Sequence, residues 1–403
     1  MSLLDEVEKI NERLISVRRK IHENPELGFL EIETAKLIMN RLDELEIPYK
    51  SGIAKTGIVA TIKGKSPGKK LLIRADMDAL PLQEDSDVPY KSKIDNVMHA
   101  CGHDCHVSCL LGAAEILIQK KNEFDGTILL VFQPAEETSP LGYYDIPGGA
   151  GPMIQEGAVG DPNNPEIDAA IALHVNAQNP AGTVSIRSGP SMGSADEIVI
   201  IIKGKGGHGS APHMAIDPIY ISSQIYIGIQ GFLSRRIAPI EPRVFTIGKI
   251  ESGTRHNIIS ERAVMEGTFR TLNQEVRDII IEEVPKLIKS IAETYGGEAE
   301  VKIHGGYPVG VNDESLAKLI QKTTIELLGE ENLIIPPAIL GAEDFYEFGM
   351  GGKVPVAMFW LGGKNEEKGF TAPNHSNYFD FDEDALKIGT TMLVGVALKY
   401  LNT

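Results

Sequence analysis

The densest run of residues able to do chemistry is MHACGHDCH, which gathers Cys101, His103 and His106 with Asp104 just ahead of an expected helix. A soft thiolate beside imidazoles suits zinc or a neighbouring transition metal. Taken alone, the run also fits a helix start with incidental histidines and a buried free thiol. In QPAEE the apolar strand TILLVF ends in the adjacent carboxylates Glu136 and Glu137. Ligand sites in open α/β sheets form at the carboxyl ends of strands. Neighbouring side chains there point in different directions, so one acid can bind metal while the other faces a substrate water. A solvated strand end with two surface acids is the alternative. His174 ends the apolar run IALHV, and His375 follows Pro373 in a loop. Singly, these are a structural strand-end histidine and a hydrogen-bonded loop residue. Together, Cys101, His103, Glu137, His174 and His375 favour a metal, because chance would scatter such residues onto exposed helices as well. Cys105 and Cys109 follow Cys101 at helical spacing and belong to the core. His99 and His106 could orient the ligands from behind.

The elements that must position these residues follow from periodicity. The N-terminus MSLLDEVEKINERLISVRRKIHENPELGF reads as an amphipathic helix, and LEIETAKLIMNRLDELEI as a second. GIVATIKG and KKLLIRADM read as strands, VSCLLGAAEILIQKK as a helix, and GTILLVFQPAEE and IDAAIALHV as strands. This predicts an α/β fold with a mixed, largely parallel sheet and flanking helices. After the Gly, Pro and Ser residues of SIRSGPSMG the order becomes βαββαβ, which predicts an inserted ferredoxin-like α+β domain. Pro285 falls inside its second helix and is expected to kink or break it. The α/β style resumes near Asn312. The expected domains are 1–189 and 308–403 for the α/β part and 190–307 for the insertion.

Composition bounds the rest. Hydrophobic residues make up 42% and charged residues 24%, which fits an ordinary globular enzyme and not a disordered chain. The net charge of -17 makes nucleic acid an unsuitable partner. No window reaches the roughly 18 apolar residues that a bilayer span requires, and the N-terminus lacks an apolar run of signal-peptide length. The three cysteines, all between 101 and 109, are a poor disulfide framework, which points to a reducing cytoplasm.

The motifs RRKIHENPELGF, RADMDALP, MHACGHDCH, FQPAEE, GKGGHGSAPH, GAEDF and PNHS, in this order, resemble the metallopeptidase family of aminoacylases and glutamate carboxypeptidases. The resemblance is to its amidohydrolase branch, with hippurate hydrolases, auxin-conjugate hydrolases and archaeal thermostable carboxypeptidases. It covers nearly the whole chain. It implies two divalent metal ions on Cys101, His103, Glu137, His174 and His375, with Glu136 as general base. It also implies that the insertion dimerises, that His208 reaches a neighbouring subunit's active site, and that Asn257 and Arg270 hold a substrate carboxylate or assist the oxyanion. Asp78 either orients a ligand or caps its strand. Mixed thiolate, imidazole and carboxylate ligation suits zinc best, with cobalt, manganese and nickel also compatible. Cys105 departs from the small residue common there, and Arg255 and His256 add charge beside Asn257. The expected activity is hydrolysis of the amide bond of an N-acyl or peptidyl amino acid with a free carboxylate. The alternatives are a biosynthetic N-acetyl-amino-acid deacetylase and a metal-binding protein of this fold without turnover. The expected partners are a small N-acyl amino acid or short peptide and a second copy of the chain.

Overall fold

The computed structural model describes residues 2–137 and 148–403. The chain divides into two compact units, one of Met1–Gly189, Val311–Pro337 and Asp344–Thr403, the other of Pro190–Gly310 and Ala338–Glu343. The short return of 338–343 to the second unit carries no compositional mark in the sequence.

The first unit is built on a mixed sheet. Its strands are β1 (Tyr49–Ile53), β2 (Gly57–Lys63), β3 (Lys70–Asp76), β4 (Thr127–Gln133), β5 (Ala169–Pro180), β6 (Val184–Ser185), β11 (Leu333–Ile334) and β12 (Val356–Lys364). They lie in the order β1-β2-β4-β3-β5-β12-β6-β11. The central neighbours β4, β3, β5 and β12 are parallel, while β1–β2, β2–β4 and β12–β6 are antiparallel. Residues 71–76 of β3 are all buried, as a parallel strand covered on both faces requires. Helices α4 (His103–Gln119) and α9 (Asp384–Leu401) pack on this sheet and on each other.

Three local expectations are corrected. The N-terminal helix is two helices, α1 (Leu3–Glu8) and α2 (Asn11–His22). Helix α4 begins at His103, so His103, Asp104 and His106 lie in its first turn and only Cys101 precedes it. His174 does not end its strand: β5 continues to Pro180 because Val175 and Asn176 go on pairing with Leu361 and Gly362 of β12.

The second unit has strands β7 (Ala195–Lys203), β8 (Arg243–Ser252), β9 (Arg262–Thr271) and β10 (Glu298–Tyr307), antiparallel in the order β8-β9-β7-β10. Helices α6 (Pro218–Arg236) and α7 (Gln274–Thr294) complete the βαββαβ order. Ile198, Ile200 and Ile202 face a core shared with Ile221, Ile225 and Ile229 of α6 and with Ile280, Val284 and Ile288 of α7. Helix α7 runs through Pro285 unbroken. Its inward stripe lies on other residues, and Ile281, whose carbonyl the proline leaves without its usual donor, is an exposed position where water can serve.

Candidate metal centre

The site grows from the carboxyl ends of the central parallel strands. Beyond β4, Ala135 takes a left-handed conformation (φ 52°) and turns the chain so that Glu136 and Glu137 leave the strand line. Ahead of α4, Gly102 adopts φ 88°, and a Cβ there would lie 2.2 Å from Val175 Cγ1, so only glycine lets the Cys101 loop approach β5 this closely. His375 is also left-handed (φ 66°), and its amide donates to the Ala100 carbonyl at 2.7 Å. Asn374 staples these segments: its side-chain amide donates to the carbonyls of Cys101 and Val175, each at 3.1 Å.

Hydrogen bonding fixes which nitrogen of each histidine is available. A carboxylate can only accept, so His103 donates Nδ1–H to Asp78 Oδ1 at 3.1 Å, and Nε2 is the nitrogen left to meet an ion. That buried Nε2 has no hydrogen-bond partner among the described residues. His174 donates Nδ1–H to the Val175 carbonyl at 2.8 Å, leaving Nε2 to face Cys101 Sγ at 3.4 Å. His375 Nε2 lies 3.3 Å from Cys101 Sγ and 3.0 Å from Glu137 Oε1. His106 is different. Its Nδ1 donates to Asp76 at 2.5 Å and its Nε2 accepts from the Val175 amide at 2.9 Å, so both nitrogens are engaged.

Donor atoms of Cys101, His103 and His174 lie within 4.8 Å of one another, as do those of Cys101, Glu137 and His375 and those of His103, Glu136 and Glu137. Cys101, His103 and Glu137 each belong to two of these overlapping groups, the pattern expected for two adjacent ions. The charges agree. Burial opposes the positive form of His103, yet Asp76 and Asp78 overcome it and hold its pKa up at about 10. Burial together with Glu137 and Glu136 pushes the Cys101 thiol well up. Burial pushes His174 well down. Buried carboxylates gathered beside a thiol are the kind of charge that divalent cations would neutralise. A thiolate, three available imidazole nitrogens and a carboxylate therefore fit a dinuclear transition-metal site.

All five expected ligands come together in the first unit, and Glu136, only 5% exposed, stands beside them. Asp78 does more than cap a strand: it accepts from the amides of Glu136 and Glu137, each at 3.0 Å, as well as from His103. Cys105 and Cys109 are buried free thiols with sulfurs 4.0 Å apart. His99 is fully buried, and burial drives its pKa down to about 3, so it stays neutral. In the second unit, the exposed His208 accepts the Ser210 amide on Nδ1 at 3.1 Å, which leaves Nε2–H as a donor. There too, Asn257 is exposed and its carbonyl accepts from the Gly209 amide, while Arg270 is half-buried and donates to the Leu340 carbonyl at 3.3 Å.

Several site residues escaped the sequence reading. Fully buried Arg74 donates to Asp76 at 2.6 Å, to Gln133 at 2.9 Å and to Asp344 at 2.8 Å. Asp344 also accepts from the amides of Gly149 and Ala150, at the start of helix α5 (Ala150–Gln155). The available signal was the charged Arg74 and Asp76 inside an otherwise apolar strand, since buried charges persist only when paired.

The model for peptidase family M20/M25/M40 matches residues 72–399. The chain is 42% identical over 402 residues to thermostable carboxypeptidase 2 of Saccharolobus solfataricus, covering 99% of this chain and 98% of that protein. It is 36% identical over 396 residues to the N-acetylcysteine deacetylase of Bacillus subtilis, covering 97% of this chain and 97% of that protein. Among solved structures it is similar to a dinuclear metal-binding peptidase of Bacillus subtilis, with a TM-score of 0.83 and 34% identity over 98% of this chain and 99% of that one.

Proposed function

Since this chain belongs to peptidase family M20/M25/M40 and is a hydrolase of that family, we propose that it cleaves the amide bond joining an acyl or aminoacyl group to an amino acid with a free carboxylate. The observation that carries this reading is the convergence of five donor side chains with Glu136 in the first unit.

Two divalent cations on Cys101, His103, Glu137, His174 and His375, zinc by preference for such mixed ligation, would supply Lewis acidity that polarises the scissile carbonyl and acidifies water. Glu136 takes the proton from the attacking water and returns it to the leaving amine, a general acid–base contribution of about 10²–10⁴-fold. Asp78 fixes the His103 tautomer and the turn that carries Glu136 and Glu137. His208, with Nε2–H free to donate, stabilises the oxyanion in a partner protomer's site, which requires at least a homodimer. Asn257 and Arg270 of the second unit receive the substrate carboxylate. The free, buried cysteines accord with a reducing cytoplasm, and no helix among the described residues is long and apolar enough to cross a membrane.

The test is a panel of N-benzoyl, N-acetyl and N-blocked dipeptide substrates assayed with chelated and metal-reloaded enzyme. Activity is expected across acyl groups, lost on chelation and restored by divalent metal; full activity of the metal-free protein would overturn the reading. A second reading, a narrow N-acetyl-amino-acid deacetylase, is favoured by the deacetylase relative. It predicts turnover of the N-acetyl members alone. Metal binding without turnover on any member would leave the fold as a binding protein.

A further inference from the structure

The catalytic turn at 135–137 is held by two buried carboxylates. Three successive backbone amides point at them: Ala135 N–H at Glu31 Oε1 (2.9 Å), Glu136 N–H at Asp78 Oδ1 (3.0 Å) and Glu137 N–H at Asp78 Oδ2 (3.0 Å). Consecutive amides converging on side-chain oxygens have the geometry of a backbone nest, here closed by Asp78 and by Glu31, whose pKa burial and the neighbouring Asp78 push up to about 8. Ala135 is the strained member, because a residue with a Cβ is disfavoured at φ 52°. Something must hold it there. Glu31 is fully buried and sits at the start of helix α3 (Ile32–Glu44), where its own carbonyl accepts the Ala35 amide at 3.0 Å. Its second oxygen is fixed by the Thr56 hydroxyl at 2.6 Å. The side chain thus cannot swing away from Ala135 without also breaking its contact to Thr56.

We propose that Glu31 is a positioning residue for catalysis, holding the left-handed Ala135 so that the Glu136 carboxylate meets the reacting water in the productive direction. This rests on Glu136 being the general base. Among the described residues the Glu31 side chain hydrogen-bonds to Ala135 and Thr56 and to none of the expected ligands, so its effect is transmitted through one amide. A displacement of about 1 Å at a reacting group is enough to reduce rate by about 10²-fold, whereas ground-state binding of substrate by other residues is little affected.

Four variants, Glu31→Ala, Glu31→Gln, Glu136→Gln and the double variant Glu31→Ala/Glu136→Gln, are compared by kcat and KM on one N-acyl amino acid, by metal content and by thermal denaturation. Glu31→Ala is expected to lower kcat roughly 10- to 100-fold with KM and metal content near wild type. Glu31→Gln, which keeps an acceptor oxygen for the Ala135 amide and can donate to Thr56, recovers most of the loss. In the double variant the Glu31→Ala change lowers kcat no further than Glu136→Gln alone, because there is no base left to misplace. A full additional loss in that background, an unchanged kcat in Glu31→Ala, or a Glu31→Gln variant as slow as Glu31→Ala would each overturn the proposal. Full activity of Glu136→Gln alone would instead remove the base assignment and the proposal with it. Should Glu31→Ala not fold, Thr56→Val removes only the hydroxyl that fixes Glu31 and is read by the same pair of backgrounds, with a smaller loss of kcat that vanishes beside Glu136→Gln.

Discussion

The carboxylate of Asp78 accepts from an imidazole and from two main-chain amides, so a single side chain sets the tautomer of His103 and the path of the turn bearing Glu136 and Glu137. Both oxygens are used. Asp78→Asn keeps one acceptor oxygen and places an NH₂ group against a donor, so one of these contacts must fail. Metal affinity is expected to fall about 10- to 100-fold, the range seen when a group behind a ligand is removed. Competition with a chromogenic chelator measures it, and unchanged affinity would reduce Asp78 to a capping acid. His106 shows the complementary lesson: it lies in the same motif as Cys101 and His103, yet its two nitrogens are consumed by Asp76 and by the Val175 amide.

Among the elements, helix α4 carries His103 in its first turn and follows closely on Cys101. Its start depends on Gly102, whose left-handed backbone and missing Cβ let the Cys101 loop fit against Val175. Gly102→Ala combines backbone strain of about 1–2 kcal/mol with overpacking of about 1–3 kcal/mol, so a loss of roughly 2–5 kcal/mol is expected in urea denaturation. A variant as stable as the parent would show that the loop relaxes freely. Helix α2 is tied to α4 by a buried cluster in which Arg18 donates to Asp104 at 2.7 Å and to Asp380 at 2.7 Å. His22 there lies between Asp104 (2.8 Å) and Glu84 (3.3 Å). Burial and Arg18 oppose its charge, but the two carboxylates overcome them and raise its pKa from 6.5 to about 9. A raised folded-state pKa stabilises fully below the unfolded value. The contribution of His22 is therefore complete below about pH 6.5 and lost as pH rises through about 9. Denaturation midpoints of wild type and His22→Asn across pH 6–10 should converge at the alkaline end; parallel curves would show that His22 does not carry this dependence.

For the whole molecule, the decisive question is how many chains make one site. Every expected metal ligand belongs to the first unit, and His208 to the second. Mixing inactive Glu136→Gln protein with inactive His208→Ala protein, under conditions that allow subunit exchange, forms mixed dimers. If His208 serves its partner, each mixed dimer pairs the intact Glu136 of one chain with the intact His208 of the other in one site. Activity well above that of either parent is then expected. No recovery, with exchange verified by differently tagged chains, would place His208 in its own chain's site or outside catalysis.

The residue types and spacing of MHACGHDCH and QPAEE, with the apolar runs around them, were enough to single out candidate ligands that the fold brings together, while the choice of Glu136 as base came from the family resemblance. Apolar runs are legible because burial is written in local composition, but the end of β5 was not, since its pairing with β12 continues past His174. The βαββαβ order of the insertion was legible for the same reason. The tertiary structure alone decided that His106 is spent on hydrogen bonds, and that Arg74, Asp76, Gln133 and Asp344 form one buried network. It alone brought Glu31 to Ala135, 104 positions away in the chain, and let α7 run through Pro285. These outcomes depend on which distant groups share a buried volume and satisfy one another there, and local periodicity carries no record of pairings made across the fold.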